Sequence, residues 1–226
     1  MKKTLIIVLA LSLVIAGIAV GSVVSSKHDM RSSVTVSGRT ITSTDDQVTQ
    51  VCVFCHHPHR GNSTTDSALL WNISDAAGTY ATYQSTTTNS TGIDGANVAS
   101  PYSLLCMGCH DGAAGTNSFI RESAEGTLGT MIDMGTGSAN LGTTLADDHP
   151  VDFTYPTAAA AGLTDIQMPA SGEVTGLTTT AVYPLYAGTM QCATCHDVHN
   201  GGAPQVQFMR GGTTDVITNS GICIDC

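Results

Sequence analysis

Apolar residues along this chain come in short bursts, with one long exception. From Leu5 to about Val24 nearly every position is apolar, behind Met1-Lys2-Lys3 and with small side chains at Ala16, Gly17, Ala19 and Gly21. A basic start, an apolar stretch and then small residues predict a Sec-type signal peptide over residues 1–24, leaving 25–226 as the mature domain. A run of roughly 20 apolar residues is also long enough to remain as a membrane anchor, but the Gly and Ala cluster sits where a peptidase needs small side chains. The later bursts are brief: Ala68-Leu69-Leu70-Trp71, Ala181 to Tyr186, and Val206-Gln207-Phe208-Met209. Ala181 to Tyr186, with Ala187-Gly188 as a turn, predicts one arm of a hairpin. Ser85 to Gly92 is a polar loop, and the Gly, Ala, Thr and Ser-rich stretch from about Glu125 to Thr180 predicts loop and short hairpin. The expected fold class is therefore mostly irregular coil with short helices and a few short strands.

Composition sharpens this picture. Four Phe, one Trp and six Tyr stand against 24 Gly, so few large side chains are present to offset the entropy of ordering so much loop. Something other than protein is expected to fill the middle. Removing Lys2 and Lys3 with the leader leaves six basic residues against 18 acidic ones, a net charge of −12. No basic patch remains for nucleic acid, and that function class is set aside.

Eight cysteines in an exported chain would ordinarily form a disulfide framework. Here all eight fall in C-x-x-C pairs: Cys52/Cys55, Cys106/Cys109, Cys192/Cys195 and Cys223/Cys226. Three pairs are followed at once by histidine, namely His56, His110 and His196. C-x-x-C-H is the attachment signature of c-type haem, in which two thiols form thioethers with the porphyrin vinyl groups and the next residue ligates iron. The spacing follows from the chemistry: one short turn sets both sulfurs along the porphyrin edge and aims the adjacent imidazole at the metal. One chance match is expected in about 500 chains of this length at background frequencies of roughly 2% for Cys and His; three exceed coincidence. A structural zinc site needs four ligands converging from closely spaced pairs, whereas these pairs start 54, 86 and 31 residues apart. The fourth pair stops at Cys226, one residue short of its histidine. A sequence that breaks off in mid-motif is the favoured explanation, with a fourth haem lacking its proximal ligand as the other.

Five further histidines remain: His28, His57, His59, His149 and His199. Four six-coordinate haems require four distal ligands, so the supply meets the need with one to spare. His59 and His199 lie three residues beyond their proximal histidines, a backbone reach of about 10 Å that cannot wrap round a porphyrin of similar width. Each must serve a neighbouring haem; His59 is assigned to the haem at Cys106/Cys109 and His199 to the one at Cys223/Cys226. His28 and His149 are left for the first and third haems, with Asp29 or Asp148 able to orient an imidazole. His57 is the odd one out. Short helices are expected to carry the motifs.

The order of motifs suggests an internal duplication. In each half a motif with a histidine three residues on is followed by an apolar burst and a second motif, which gives two two-haem modules, about 25–125 and 181–226. N-x-S/T sequons occur at Asn62, Asn72 and Asn89, a weak sign of glycosylation.

Across Lys27-His28-Asp29, VCVFCHHPH (51–59), Leu70-Trp71-Asn72, LLCMGCHDG (104–112), DHPV (148–151) and CATCHDVHN (192–200), the chain resembles the doubled CxxCH multihaem cytochromes c, and within them the OmcE-type tetrahaem extracellular cytochromes that form nanowires. The likeness spans nearly the whole mature chain as islands in variable loops. It implies a stack of four haem c groups as the core, bis-histidine iron, and copies of the chain joined end to end, with a distal histidine donated across the boundary; His28 is the candidate for that role. The expected function is electron transfer by a secreted, extracellular or cell-surface carrier, not an enzyme, working with redox-partner cytochromes or extracellular acceptors. A monomeric periplasmic tetrahaem shuttle is the alternative, followed by a multihaem reductase.

Overall fold

The computed structural model describes residues 23–34, 42–43, 45–58, 70–74, 76, 78–83, 101–112, 119–129, 138–155, 172–175, 182–199 and 208–210. The signal segment up to residue 22, His59, the loop at 85–92, the sequons at Asn62 and Asn89, and the fourth motif at Cys223 and Cys226 lie outside these residues. Among the described residues no helix is long and apolar enough to cross a membrane.

Most of the described chain is coil. Among the described residues a 3-10 turn spans Cys52–Phe54, and two helices follow it, α1 (Pro101–His110) and α2 (Cys192–Cys195). The turn begins at Cys52 and is capped by Cys55, and each helix carries a whole C-x-x-C pair. Proline suits the first position of α1, where the backbone N–H would have no partner within the helix. Beyond the last residue of α1 the chain leaves through Gly112 at φ +71, a left-handed exit open to glycine without penalty. The freed His110 carbonyl accepts the Leu141 N–H at 2.8 Å.

Four strands of two or three residues make two nested antiparallel pairs. β2 (Glu173–Thr175) pairs with β3 (Val182–Pro184), and outside them β1 (Phe153–Thr154) pairs with β4 (Thr189–Met190). The predicted turn at Ala187-Gly188 is present: Tyr186 and Thr189 exchange backbone hydrogen bonds at 3.1 Å across it, with φ of +53 and +79 at the two central residues. Positive φ at both positions is the twist that matches a tight hairpin. Among the described residues of the segment between about 125 and 180, β1 and β2 pair with later strands.

The apolar core is divided. Met30, Val48, Val53, Phe54 and Leu128 form one cluster, Tyr80, Met107, Leu145 and Val151 a second, and Tyr155, Val174, Tyr183 and Leu185 a third, while Ile73 packs with Trp71 and Phe119. Cys55 and Cys109 border the first cluster and Cys192 the second. Separate clusters of this size stabilise a chain weakly, because conformational entropy grows with every ordered residue while apolar burial does not.

Long-range polar contacts tie the clusters together. The buried Asn72 side chain donates to the Val53 carbonyl at 2.8 Å and the Arg121 carbonyl at 3.0 Å, and accepts the Arg121 N–H at 2.9 Å. An amide so enclosed is a cross-link between segments, not a glycan acceptor, which corrects the sequon reading there.

Candidate functional site

The motifs at Cys52 and Cys192 share one backbone frame. The proximal N–H bonds back to the first cysteine, His56 to the Cys52 carbonyl at 2.8 Å and His196 to the Cys192 carbonyl at 2.9 Å. An apolar strand-like segment then bridges each motif: His57 N–H to Leu70 and Asn72 N–H to Cys55 in the first, Asp197 N–H to Phe208 and Arg210 N–H to Cys195 in the third. Leu70 and Phe208 occupy matching places in this frame, and both adopt positive φ, +53 and +57. In α1 the residues Cys106 and Cys109 are three apart and so share a helix face.

Every proximal histidine of these motifs meets a second imidazole. The rings of His56 and His199 have centres 6.0 Å apart, those of His196 and His149 6.2 Å, and those of His110 and His28 6.2 Å. A metal-to-imidazole bond is about 2.0 Å and a ring nitrogen lies about 1.1 Å from the ring centre, so two imidazoles in trans on one metal have centres about 6.2 Å apart. Imidazoles in face contact would be separated by only about 3.5 to 4.0 Å. Interplanar angles of 22°, 29° and 67° all suit rings that share an axis and turn about it. Each pair therefore has the spacing that two imidazoles on opposite sides of one metal would have.

These partnerships differ from the sequence assignments. His199 faces the first motif's histidine, where the sequence assigned it to the fourth motif, which lies outside the described residues, and His28 faces His110 of its own chain, where the sequence assigned it to the first or third haem. Only His149 meets one of the two partners reserved for it. His57 is half-buried, and its backbone N–H is engaged by Leu70 at 2.9 Å. Local reach shows which haem a nearby histidine cannot ligate; it does not reveal which distant one the fold brings to it. Among the described residues no three or more His, Cys, Asp or Glu side chains converge on one point.

Two of the rings carry further signs of a metal-ready state. His110 Nδ1 donates to the Ala139 carbonyl at 2.7 Å, which leaves the Nε2 lone pair for a metal and fixes the ring's direction. His28 Nδ1 is buried with no hydrogen-bond partner. Burial, followed by the neighbouring His110, His196 and His199, pulls the His28 pKa down to about 4, so this ring stays neutral as a ligand must.

Several residues position these motifs and rings, and of them the sequence pointed only to Asp29. Asp29 accepts the Ser25 N–H at 2.8 Å and the Arg31 fork at 2.8 and 2.7 Å, which fixes the turn bearing His28. Burial opposes ionisation of Asp29, yet the bonds from Arg31 and then Ser25 bring its carboxyl below the usual range. Buried Gln191 joins the second and third motifs: its Oε1 accepts the Ser103 N–H at 3.0 Å in the first turn of α1, its N–H donates to Thr194 Oγ1 at 3.0 Å in α2, and its Nε2 donates to Thr189 at 2.9 Å. The adjacent Cys192 N–H donates to Ser103 Oγ at 3.3 Å.

Two cysteines of different motifs meet directly. Cys106 and Cys192, from different motifs, hydrogen-bond through their thiols; that bond and then burial push the Cys106 thiol well up. Burial, then the nearby Cys52, raises Cys55 to about 12. Burial, then Cys55 and Asp111, raises Cys109 as well. The second motif thus meets the third through Cys106 and Cys192, and shares one apolar cluster with the first, which both Cys55 and Cys109 border. Beside the first motif opens a cavity of about 410 Å³, lined among others by Arg31, Val51, Cys52, Val53, His56 and Pro58.

No protein-family model matches this chain, and no curated protein matches it at a significant level.

Proposed function

We propose that the chain is a multihaem c-type cytochrome that relays electrons, with histidine on both faces of each iron. One observation carries this reading above the rest: each proximal histidine of a complete C-x-x-C-H motif has a second imidazole opposite it at 6.0 to 6.2 Å. Haem c, when bound, supplies a one-electron couple between ferric and ferrous iron. The residues do the holding. Cys52 and Cys55, Cys106 and Cys109, and Cys192 and Cys195 would anchor it through sulfur; His56 with His199, His110 with His28, and His196 with His149 would hold the iron. Cys223 and Cys226 would anchor the fourth group, and with His28 opposite His110, His59 is left as its distal ligand. Two protein ligands per iron leave no place for a substrate, which favours a carrier over a reductase.

The meeting of Cys106 with Cys192, and the apolar cluster that Cys55 and Cys109 share, would supply a path. Haems anchored at Cys55 and Cys109, and at Cys106 and Cys192, would lie edge to edge, in the order first, second, third. The family resemblance extends that row from copy to copy in a secreted homopolymer; a discrete periplasmic shuttle is the alternative form.

The test is expression with haem maturation machinery, followed by pyridine haemochrome assay and electron paramagnetic resonance. Three or four covalent haems with low-spin ferric signals are expected. Fewer than three, or haem released by acid-acetone, overturns the proposal. Negative-stain microscopy at high concentration separates the two forms: filaments support the homopolymer, and monomers alone count against it.

A further inference from the structure

The cavity beside the first motif has an unusual lining for a chain so acidic. Val51 and Val53 are buried, and with Pro58 they give it an apolar wall. Cys52 and His56 bring one sulfur and one imidazole, and Arg31 is the sole charged residue among those that line it. An apolar wall, a thiol, an imidazole and one guanidinium together match a flat macrocycle that is covalently tethered, metal-centred and edged with carboxylates.

Arg31 has donors to spare. A guanidinium carries five N–H groups, of which Nε and Nη2 bond the Asp29 carboxylate at 2.8 and 2.7 Å and Nη1 bonds the Thr49 carbonyl at 3.3 Å. One N–H on each terminal nitrogen remains, and the side chain keeps 16% of its exposure. Asp29 holds the guanidinium in place, so little rotamer entropy is left to lose when a second carboxylate arrives.

We infer that Arg31 binds a propionate of the haem attached at Cys52 and Cys55, and through Asp29 couples that haem to the turn carrying His28. This deepens the electron-transfer reading and rests on it. A fixed cation beside a propionate favours the reduced iron, so Arg31 raises the potential of the first haem relative to its neighbours in an acidic chain. The same side chain steadies Asp29, next to the ring that faces His110. One guanidinium therefore serves two adjacent redox sites, setting the potential of the first and the ligand geometry of the second.

The test uses the haem-loaded full chain, unmodified and as R31K and R31Q, in potentiometric titrations followed by site-resolved electron paramagnetic resonance or nuclear magnetic resonance. R31Q is expected to raise the oxidised-to-reduced ratio of the first haem about tenfold at a fixed applied potential, equivalent to about 59 mV for one electron. R31K, which keeps the charge, is expected to stay within about threefold, on the same scale. A full haem complement with every potential unchanged in R31Q overturns the inference; so does a change confined to the haem at Cys106 and Cys109, which would mark Arg31 as a support for the His28 turn only. Where R31Q fails to accumulate, a structure of the unmodified holoprotein decides: an Arg31 nitrogen within about 3.2 Å of a propionate oxygen of the first haem supports it, and propionates turned away from Arg31 overturn it. An unmodified chain lacking covalent haem at Cys52 and Cys55 is a different result, since it removes the function reading and the inference together, before any variant is made.

Discussion

The hydroxyl of Tyr80 donates a 2.8 Å hydrogen bond to Asp111 Oδ2, one residue past the motif histidine His110. Tyr80 is fully buried. A Cβ at Gly78 would lie 2.7 Å from its ring, so only glycine lets the chain close over it. Burial, then the bond to Asp111, pushes the Tyr80 pKa up to about 12. A folded pKa above the unfolded value of about 10 means a contribution to stability that is complete below pH 10 and lost as pH rises toward 12. Y80F is therefore expected to lower stability by about 1.5 to 3 kcal/mol at neutral pH, the usual range for a hydrogen bond to a charged group. The deficit should shrink between pH 10 and 12. Denaturant melts of both proteins across that range check it, and a deficit that does not change with pH would contradict the assignment.

The three imidazole partnerships make separate spectroscopic predictions. H199A is expected to turn the haem at Cys52/Cys55 high-spin, H28A the one at Cys106/Cys109 and H149A the one at Cys192/Cys195, each with the covalent haem count unchanged. Carbon monoxide binding to the reduced variants, one equivalent per variant, is the readout. If H199A opened the haem at Cys223/Cys226 instead, the facing of His56 and His199 would not be the ligation pattern.

Gln191 joins the two helices that carry C-x-x-C pairs through a single buried amide. Replacing it with leucine leaves the Ser103 N–H without its acceptor, at a cost of about 1 to 3 kcal/mol. Spin coupling between the second and third haems should weaken in Q191L and be nearly restored in Q191E, whose carboxylate still accepts. Unaltered coupling in Q191L would show that the two helices are held by apolar packing alone.

Without haem, the thiols should be unequal. Cys52 is exposed, while Cys55, Cys106 and Cys109 are pushed toward the protonated form, and only a thiolate attacks an alkylating agent. Iodoacetamide at pH 8 is expected to label Cys52 at least about tenfold faster than the other three in folded chain made without haem. Haem-loaded protein should take no label at any of the four. Peptide mass spectrometry resolves the sites, and equal rates at Cys52 and Cys55 would refute the burial.

Much of this site was legible in the sequence because its chemistry is local. A C-x-x-C-H pair needs one turn, and the turn is within reach of its own residues; hence the motif-bearing cysteines, their histidines, the hairpin turn at Ala187-Gly188 and the coil-rich fold class could all be read directly. The distal partnerships could not, because they depend on contacts between distant segments. Gln191 on Ser103, Asn72 on Arg121 and the Ala139 carbonyl on His110 decide which imidazole faces which, and none belongs to a motif. Asp29 shows the difference well. Its place beside His28 suggested a partner for that ring, whereas its carboxylate is held by Arg31 two residues on.

The facing of His56 and His199 also sets an order of events. On the proposed function, a chain exported from its N-terminus would expose the first motif early, while the imidazole facing His56 comes from a residue well past the midpoint of the sequence. Until it arrived, the earliest haem site to be made would be the one left longest with a vacant coordination position, open to exogenous ligands and oxygen. Closing that long loop is intrinsically slow, so a chaperone or a temporary small ligand at the first haem would have most to protect during export.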